Sequence, residues 1–367
     1  MLILHIILLI ICIIPTLIII VDLYHSINIW QKRIHIGRWR NIEDWENAIE
    51  NRALKWLKRV PIVSQKDSNK YILLDIIKGN YKNNTIQSWQ KAGLLMGLNV
   101  FEDNIPQNCH IDASLLGYAI LNNHPAPDNI KPKLDIIYHK ILETKGNNET
   151  IPYRHTIPCI RFVDTIGLVC PFLVKYGLTY NIPEAITLAE RQIREYASFI
   201  SPTTKTPPHA YNIKNKVPLG VYDWGRGIGW YILGIIECYS HLYDCCFKDF
   251  LKDQIIQLSQ YLLKYQLKSG GFSASIFDDT SFGESSSTVL CGLLFNMCYK
   301  ITQDYTYFKA TDKVIAQLIK NTQRNGAIDL CQGDTHGIGN YSTQFGYMPF
   351  VQGLTLLLIK RHKNANS

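Results

Sequence analysis

Apolar residues recur every three to four positions along most of the chain from about residue 42 onward. In the first such stretch Trp45, Ala48 and Leu57 share one helical face, and acidic residues stand where the helix would begin. The same pattern predicts further helices over 85–101, 113–123, 130–145, 163–176, 183–200, 228–242, 247–267, 286–301, 305–322 and 348–361. Strand signals are scarce, so the pattern predicts an all-α protein.

Glycine- or proline-rich breaks separate the predicted helices, notably at 202–208, 268–272 and 333–346. About a dozen helices joined alternately by short and long connections predict helical hairpins closed into a toroid. A plain solenoid is the competing architecture. Solenoids carry a consensus of fixed period, however, and the chain shows none.

The N-terminal segment differs from the rest, because residues 1–21 are apolar apart from His5. A helix of about 20 such residues is long enough to cross a bilayer. The segment lacks the positive start, the shorter apolar run and the small-residue cleavage site of a signal peptide, so we interpret it as an uncleaved anchor. The chain then divides into a transmembrane anchor (1–23), a basic juxtamembrane segment (24–41) and one domain of catalytic size (42–367).

The charges around the anchor predict its orientation. No lysine or arginine precedes the apolar span, whereas Lys32, Arg33, Arg38 and Arg40 follow it. The positive-inside rule therefore predicts a single-pass protein of the inner (cytoplasmic) membrane with its domain in the cytoplasm. Ten cysteines, several of them within apolar runs and none in a Cys-x-x-Cys pair, fit buried free thiols in a reducing compartment. An atypical secretory signal followed by a periplasmic domain is the alternative.

Composition excludes some partners. The chain is 47% hydrophobic and 19% charged with a net charge of +8, which fits a globular protein with a modestly basic surface. Lysine and arginine are dispersed, without the clustered basic helix that nucleic-acid binding needs, so we expect no nucleic-acid partner. Acidic glycans or anionic lipids would suit this charge balance.

The most unusual stretch is Trp-Gly-Arg-Gly-Ile-Gly-Trp at 224–230, directly before a long apolar run. Glycines on both sides of Arg226 allow close approach to its backbone, and its planar guanidinium matches a carboxylate. Trp224 and Trp230 offer flat apolar faces to a sugar ring. Together they suit an acidic carbohydrate. In the alternative interpretation the tryptophans simply pack into the core and Arg226 caps a helix.

Two acids stand at predicted helix starts, Asp112 and Asp164. Each could be an ordinary N-cap, but together they could form the carboxylate pair of a glycan-cleaving site, with one acid kept neutral by apolar surroundings and its partner. His209 ends a proline-rich loop and is a candidate for the wall of the site, although a lone histidine is more often structural. Glu284 opens a run of serines and could be no more than a cap.

These motifs, in this order, resemble those of the unsaturated uronyl hydrolases of glycoside hydrolase families 88 and 105, which include the unsaturated rhamnogalacturonyl hydrolases. The resemblance covers the chain from about residue 42 to its end, and 224–230 matches the family's Trp-Gly-Arg-Gly-x-Gly-Trp motif. The other matching positions are Asp112 with Gly117, Asp164 with Pro171-Phe172 and Tyr176, the triplet His209-Ala210-Tyr211, the cluster 284–288, and Gly337, Gly339 and Tyr341. Ile228 stands where most relatives have asparagine, and Thr165-Ile166-Gly167 also departs from the family pattern, so substrate identity is less defined than fold.

The resemblance implies an (α/α)6 barrel, a six-hairpin toroid, whose loops form a pocket for a 4,5-unsaturated uronic acid. The family reaction is the hydration of a vinyl ether, for which no cofactor and no metal are expected. By carry-over, Asp164 would protonate C4 and then, as a carboxylate, help water attack C5, which requires a raised pKa. Asp112 would orient the ring hydroxyls and raise the pKa of its partner.

The remaining site residues are expected to bind substrate. Arg226 and His209 would face the polar groups of the uronate, and Trp224 and Trp230 would shape the wall. Tyr211 and Glu284 are assigned to the same role.

Two functions fit these expectations. The first is a hydrolase that removes an unsaturated uronyl residue from an oligosaccharide. The second is a membrane-tethered protein of capsule or exopolysaccharide biosynthesis that uses the same barrel to bind or trim glycan. Either would take an acidic oligosaccharide or polysaccharide as its partner and meet the membrane through the N-terminal helix.

Overall fold

A computed structural model describes residues 2–58, 88–105, 110–146, 148–335 and 337–366. Its α-helices are α1 (Leu2–Arg33), α2 (Ile42–Lys58), α3 (Ser88–Leu98), α4 (Ala113–Asn123), α5 (Lys131–Thr144), α6 (Asp164–Tyr180), α7 (Pro183–Ala197), α8 (Gly225–His241), α9 (Cys246–Leu262), α10 (Ser285–Thr302), α11 (Tyr305–Lys320) and α12 (Pro349–Asn366). The strands are β1 (Ile160–Phe162), β2 (Ala210–Asn212), β3 (Val217–Leu219), β4 (Cys331–Gln332) and β5 (Phe345–Gly346).

Six helices form a closed inner ring in the order α3, α4, α6, α8, α10, α12, with α12 packed back against α3. These helices are buried around most of their circumference, as their nearly continuous apolar sequences require. Outside the ring, α5, α7, α9 and α11 each cover an inner helix, and α2 lies against α3 and α12. The outer helices are amphipathic, with one buried stripe each. The predicted all-α (α/α)6 toroid is therefore confirmed.

The predicted helices agree closely with the observed ones. The helix predicted over 113–123 has those bounds as α4, whereas α6 continues beyond 176 to Tyr180 and ends at Asn181 in the left-handed conformation. Of the predicted helix 85–101 the structure shows Ser88–Leu98, and 85–87 lie outside the described residues. The strands pair as antiparallel β1-β2-β3 and β4-β5, between helices at the edge of the site.

Glycines allow the first and last inner helices to touch. A Cβ on Gly353 of α12 would lie 1.8 Å from the carbonyl oxygen of Gly93 in α3. A Cβ on Gly97 would lie 2.1 Å from the Gly353 carbonyl oxygen. No side chain fits at these distances, so the ring closes through direct backbone contact.

A buried ion pair connects alternate inner helices across the ring. The Arg361 guanidinium of α12 donates to both carboxylate oxygens of Glu237 in α8, at 2.6 and 2.8 Å, and the Tyr118 hydroxyl of α4 donates to Glu237 at 2.6 Å. Burial raises the pKa of Glu237, but the charge and hydrogen bonds of Arg361 outweigh burial and hold that pKa below its ordinary value.

The N-terminal helix is longer than the predicted anchor. Its apolar part is exposed throughout, and α1 is long and apolar enough to cross a membrane, the only such helix in the part of the chain that the structure describes. It continues without a break past residue 23 to Arg33, so residues 24–33 of the predicted juxtamembrane segment are helical. After the turn, the Gly37 amide donates to the Thr322 carbonyl at 2.9 Å, which places this segment directly on the barrel.

Candidate active site

The N-terminal ends of α4, α6 and α8 contribute to one cavity of about 670 Å³ at an end of the ring. It is lined by Trp89, Asp112, Tyr153, Arg154, Thr156, Ile157, Phe162, Asp164, Leu168, His209, Trp224, Arg226, Trp230, Asp334, Thr335 and Gly337. Asp112, Asp164, His209 and Arg226, whose sequence positions span more than a hundred residues, thus meet in one place. This convergence is the observation that distinguishes a site from scattered helix caps.

Asp164 is the first residue of α6 and makes no side-chain capping bond. Strand β1 leads into it, and the Val163 amide before it donates to the His209 carbonyl at 3.0 Å, which fixes the entry to the helix. The Asp164 side chain is 21% exposed, and its Oδ2 has no hydrogen-bond partner among the described residues. Asp164 thus combines a place in the cavity lining with a buried carboxylate oxygen that has no partner among the described residues, which is typical of a functional group.

Burial raises the pKa of Asp164 to about 7. Its own backbone hydrogen bond and the positive charge of Arg226 act in the opposite direction, and the negative charge of Asp334 adds to the rise. At neutral pH a large fraction of this carboxyl group is therefore protonated. We expected Asp112 to raise the pKa of Asp164, but the neighbouring carboxylate that does so is Asp334.

His209 lies beside Asp164, with its Nε2 3.9 Å from Oδ2. Burial, and then the charge of Arg226, lower the pKa of His209 to about 4, so the imidazole is neutral at neutral pH. Its Nδ1 lies 3.0 Å from the Tyr341 hydroxyl, and its ring lies 4.4 Å from that of Trp224. If the hydroxyl donates to Nδ1, the ring proton is on Nε2 and points toward Asp164.

Arg226 is buried in the first turn of α8. Its guanidinium donates to the Gln332 and Gly333 carbonyls and lies 5.5 Å from the Trp224 ring. Within the described ranges it makes no ion pair with a carboxylate. A buried cation without an anion is costly unless a ligand supplies one, so Arg226 is suited to bind an anionic group in the cavity.

The two tryptophans serve both as core residues and as cavity wall. Trp224 and Trp230 are almost fully buried yet line the cavity. Trp224 stacks on Tyr341 with ring centroids 5.1 Å apart and donates from Nε1 to Gln332 Oε1. Trp230 stacks on Phe350 at 5.5 Å. Packing on both sides holds each indole rigidly, which a sugar-binding wall requires.

Asp112 precedes α4 and, like Asp164, makes no side-chain capping bond. Burial raises its pKa, while the charges of His110 and Arg154 counteract part of that rise. Tyr153 lies close enough to both acids that, after burial, their charges raise the pKa of its phenol further. The cavity therefore brings the acids Asp112 and Asp164 together with the cationic side chains of Arg154 and Arg226.

Tyr211 does not belong to the lining of the cavity, contrary to its assignment as a substrate-binding residue. It is fully buried in β2, where its ring stacks on Phe199 at 3.9 Å and packs edge-on against Tyr196. These contacts fill the space behind the wall. The aromatic triplet 209–211 therefore contributes only its histidine to the cavity.

Glu284 does not line the cavity either and acts as a helix cap. Its buried carboxylate accepts hydrogen bonds from the backbone and hydroxyl groups of Ser286 and Ser287 and from the Gln332 amide. Because its carboxylate oxygens already accept these hydrogen bonds within the protein, Glu284 has little hydrogen-bonding capacity left for a ligand. It holds the strand β4 whose residues in turn bind Arg226 and Trp224.

Several lining residues were not identified from the sequence. Asp334 lies in a glycine-rich loop of which we singled out only Gly337, Gly339 and Tyr341, and Tyr153 and Arg154 lie in an irregular segment without periodicity. Gln332 binds Arg226 and Trp224 from a two-residue strand. The sequence signal available for Asp334 was an acid inside a glycine-rich loop, which is weak without the fold.

A smaller cavity of about 260 Å³ adjoins the first and shares Asp112, Tyr153, Arg154 and Thr156 with it. Its other lining residues are His110, Ile111, Lys140, Thr144 and His155. Imidazole, ammonium and guanidinium groups therefore surround this side cavity. No group of three or more histidine, cysteine, aspartate or glutamate side chains arranged to hold a metal ion occurs among the described residues.

An (α/α)6 barrel with a raised-pKa acid, a buried arginine and indole walls in one cavity defines a protein of the glycoside hydrolase class. The sequence profile described as Glycosyl Hydrolase Family 88 matches residues 69–360. The chain belongs to this family, as its motifs indicated. A comparison with curated protein sequences finds no match.

Solved structures share the fold. An unsaturated glucuronyl hydrolase from Bacillus sp. GL1, described as responsible for the degradation of glycosaminoglycan, is 14% identical with a TM-score of 0.63 over 87% of this chain and 95% of that one. An unsaturated glucuronyl hydrolase specific for heparin is 12% identical with a TM-score of 0.64 over 89% and 98%. A family 105 glycoside hydrolase of C. acetobutylicum ATCC 824 is 14% identical with a TM-score of 0.61 over 87% and 93%. At these identities the likeness establishes the fold.

Proposed function

We propose that this protein is a glycoside hydrolase that removes a 4,5-unsaturated uronic acid from an oligosaccharide by hydration of its vinyl ether. Membership of family 88 supports the class of reaction. The observation that carries the proposal is the Asp164 carboxyl group, which belongs to the cavity lining and whose pKa is raised to about 7. A general acid for this reaction has to be protonated near neutral pH.

In the proposed binding mode the uronate carboxylate pairs with Arg226, the buried cation that lacks an anion. Trp224 and Trp230 contact the faces and edges of the sugar ring, and Asp112 accepts hydrogen bonds from its hydroxyls. The planar unsaturated ring would then lie with its double bond toward Asp164. Neutral His209, beside the same carboxyl group, binds without adding a charge that would favour the carboxylate form of Asp164.

The reaction then uses one residue twice. Asp164 donates its proton to C4 as the C4–C5 double bond supplies the electron pair, which leaves positive charge shared between C5 and the ring oxygen. Water attacks C5 and returns a proton to the Asp164 carboxylate. The resulting hemiketal opens as its hydroxyl proton passes to the ring oxygen, which gives a ketone at C5 and a hydroxyl group on C1. This C1 hemiacetal collapses to an aldehyde as its proton passes to the glycosidic oxygen, and the remaining sugar leaves as an alcohol.

The test is the ultraviolet absorbance of the double bond, followed with lyase-generated unsaturated disaccharides. We expect the absorbance to decay with the wild-type protein and to persist with Asp164→Asn, which keeps the shape but cannot supply the proton. Asp253→Asn on the exposed face of α9 is the matched control and should behave as wild type. If no unsaturated uronate is consumed, or if Asp164→Asn is as active as the control, the proposed reaction is wrong.

The side cavity would receive the sugar that follows the uronate. Its surrounding cationic groups favour a substrate that carries a negative group on that sugar. Lys140→Ala should raise KM for a disaccharide with a sulfated or carboxylated second sugar and leave KM for a neutral second sugar unchanged. An equal effect on both substrates would contradict this placement.

The alternative function is that of a membrane-anchored capsule or exopolysaccharide biosynthesis protein, which the exposed apolar helix α1 favours. We propose a single-pass location in the inner membrane with the barrel in the cytoplasm, and a periplasmic barrel is the competing topology. A reporter fused after Arg40 that is active only in the cytoplasm would support the first topology. Polysaccharide that changes in length when the protein is deleted, without any turnover of unsaturated disaccharides, would favour the biosynthetic role.

A further inference from the structure

The last residue of the anchor helix is bound to the barrel. The Arg33 guanidinium donates from Nε and Nη2 to the two carboxylate oxygens of Asp329, at 2.7 and 2.8 Å. Its Nη2 also donates to the Phe345 carbonyl at 2.7 Å. The Asp329 side chain is only 1% exposed, so this pair differs from the exposed ion pairs that contribute little to stability.

Asp329 begins the short segment that carries the partners of the substrate-binding arginine. Its Oδ1 accepts from the Leu330 amide at 2.7 Å and holds Leu330 at φ +60°, a conformation that leucine rarely adopts. The next residues form β4, and the carbonyls of Gln332 and Gly333 accept from Arg226. Gln332 and Gly333, whose carbonyls hold Arg226, lie only three and four positions beyond Asp329.

A second connection reaches the same place. Phe345, whose carbonyl Arg33 binds, lies in β5, opposite Gln332 of β4. One guanidinium therefore binds Asp329, two positions before β4 begins, and the strand that pairs with β4. The first connection runs along the chain from Asp329 and the second runs across the strand pair from Phe345. Both reach Gln332, whose carbonyl accepts from Arg226.

We infer that Arg33 is a positioning residue for Arg226, so that docking of the anchor helix sets the affinity of the cavity for its anionic substrate. Without Arg33, the Asp329 carboxylate would be buried with its charge unpaired and would be drawn toward solvent, and the Leu330 turn that it holds would relax. The Gln332 and Gly333 carbonyls would shift with it. The part of this inference that concerns affinity rests on the proposed function.

The kinetic experiment uses the full-length protein in detergent micelles and an unsaturated uronyl disaccharide. Arg33→Ala should raise KM about tenfold with less than about a twofold change in kcat, because the change acts on ground-state binding of the carboxylate. Arg33→Lys keeps the charge and should recover part of the loss. Lys32→Ala removes an adjacent, exposed charge and should match the wild type.

A double-mutant comparison separates positioning from general damage. If Arg33 acts through Arg226, then Arg33→Ala should raise KM no further once Arg226 has been changed to alanine. An additional tenfold rise in the Arg226→Ala background, or an unchanged KM in the single variant, would overturn the inference.

Hydrogen exchange tests the positioning without any turnover. The Gln332 amide donates to Glu284 and the Gly333 amide to the Gln344 carbonyl, so both report the state of β4. Arg33→Ala should accelerate exchange in a peptide covering 329–334 and leave a peptide covering 183–197 unchanged. The inference would be contradicted if the peptide covering 329–334 exchanged equally fast in the wild type and in Arg33→Ala. It would also be contradicted if Arg33→Ala accelerated exchange in both peptides. If the wild-type protein consumes no unsaturated uronate, the proposed function fails, while this measurement still decides the role of Arg33.

Discussion

Asp164 lies near a buried arginine, and yet its pKa is raised. Burial in the cavity wall is the largest influence and outweighs both the backbone hydrogen bond and the charge of Arg226. Asp334, which is distant from Asp164 in sequence, supplies the neighbouring negative charge. The arginine can therefore bind a carboxylate without converting the acid that the reaction needs into its ionised form.

The pH dependence of activity should follow this one group. Because Asp164 must be protonated, kcat/KM should stay level below its pKa of about 7 and fall about tenfold for each pH unit above it. Below about pH 4, His209 gains a proton and a second charge enters the cavity, so activity should fall again. A pH profile of kcat/KM from 3 to 9 checks both limits, and a profile that rises through pH 7 would contradict the role of Asp164.

Removing the charge of Asp334 should move that profile. Asp334→Asn eliminates a negative neighbour that raises the pKa of Asp164, so the descending part of the profile should shift to lower pH. Asp334→Glu keeps the charge and serves as the control. The comparison requires only the two pH profiles, and coincident curves for asparagine and glutamate would show that Asp334 has no such influence.

Asp164 should also cost stability when it ionises. A carboxyl group whose folded pKa is raised binds its proton more tightly in the folded state, so this contribution to stability is complete below the unfolded pKa near 3.8 and is lost as pH rises to about 7. Asp164→Asn should therefore leave Tm unchanged near pH 4 and raise the free energy of unfolding at pH 8 by about 4 kcal/mol. Thermal unfolding at the two pH values measures the difference.

At the scale of elements, the site depends on short segments between helices. Strand β4 is only two residues long, but it joins the capping carboxylate of Glu284 to Arg226 and Trp224. Helical periodicity located the inner helices to within a few residues because their buried faces repeat. No comparable repeat exists in a strand of two residues or in the loop that carries Asp334. The positions of β4 and Asp334 in the site therefore became visible only in the three-dimensional structure.

The buried ion pair between α8 and α12 should contribute strongly to the stability of the barrel. Glu237→Gln leaves Arg361 buried without an anion, which costs about 3 kcal/mol or more. Because Glu237 is held ionised, its contribution is present above the unfolded pKa near 4.5 and is lost as pH falls below it. Glu143→Gln, which breaks an exposed pair, is the control and should change Tm little.

At the scale of the whole molecule, the toroid was predictable and the docking of α1 on the barrel was not. Hairpin connectivity and buried inner helices follow from the apolar pattern, and the spacing of Asp112, Asp164 and Arg226 at successive inner helix starts follows from the toroid. Arg33 reads in sequence as one of four basic residues behind an apolar span. Its bond to Asp329, 296 positions away, depends on three-dimensional packing alone.

All nine cysteines in the described residues are free thiols, and Cys109 lies outside them. Five of the nine, Cys170, Cys238, Cys291, Cys298 and Cys331, are buried. Buried free thiols were expected from their apolar context. The cytoplasmic placement to which we linked them stays a proposal.

Two N-terminal truncations should separate the contribution of the apolar part of α1 from that of its last residues and the turn that follows. A protein that starts at residue 32 retains Arg33 and the turn that follows, whereas one that starts at 42 loses both. We expect the longer protein to bind the unsaturated disaccharide with a KM close to that of the full chain and the shorter one to bind it more weakly. Equal KM values for the two proteins would show that the segment 32–41 contributes nothing to the cavity.

The direct contact between α3 and α12 has a consequence for biosynthesis. Gly97 and Gly353 are neighbours in space but 256 positions apart in sequence, so the ribosome needs roughly 10 to 50 seconds to translate the interval between them. During that time the nascent inner helices expose a lengthening apolar groove that only the final helix can seal. A cell that makes this protein must therefore shield an unfinished barrel until α12 has been translated.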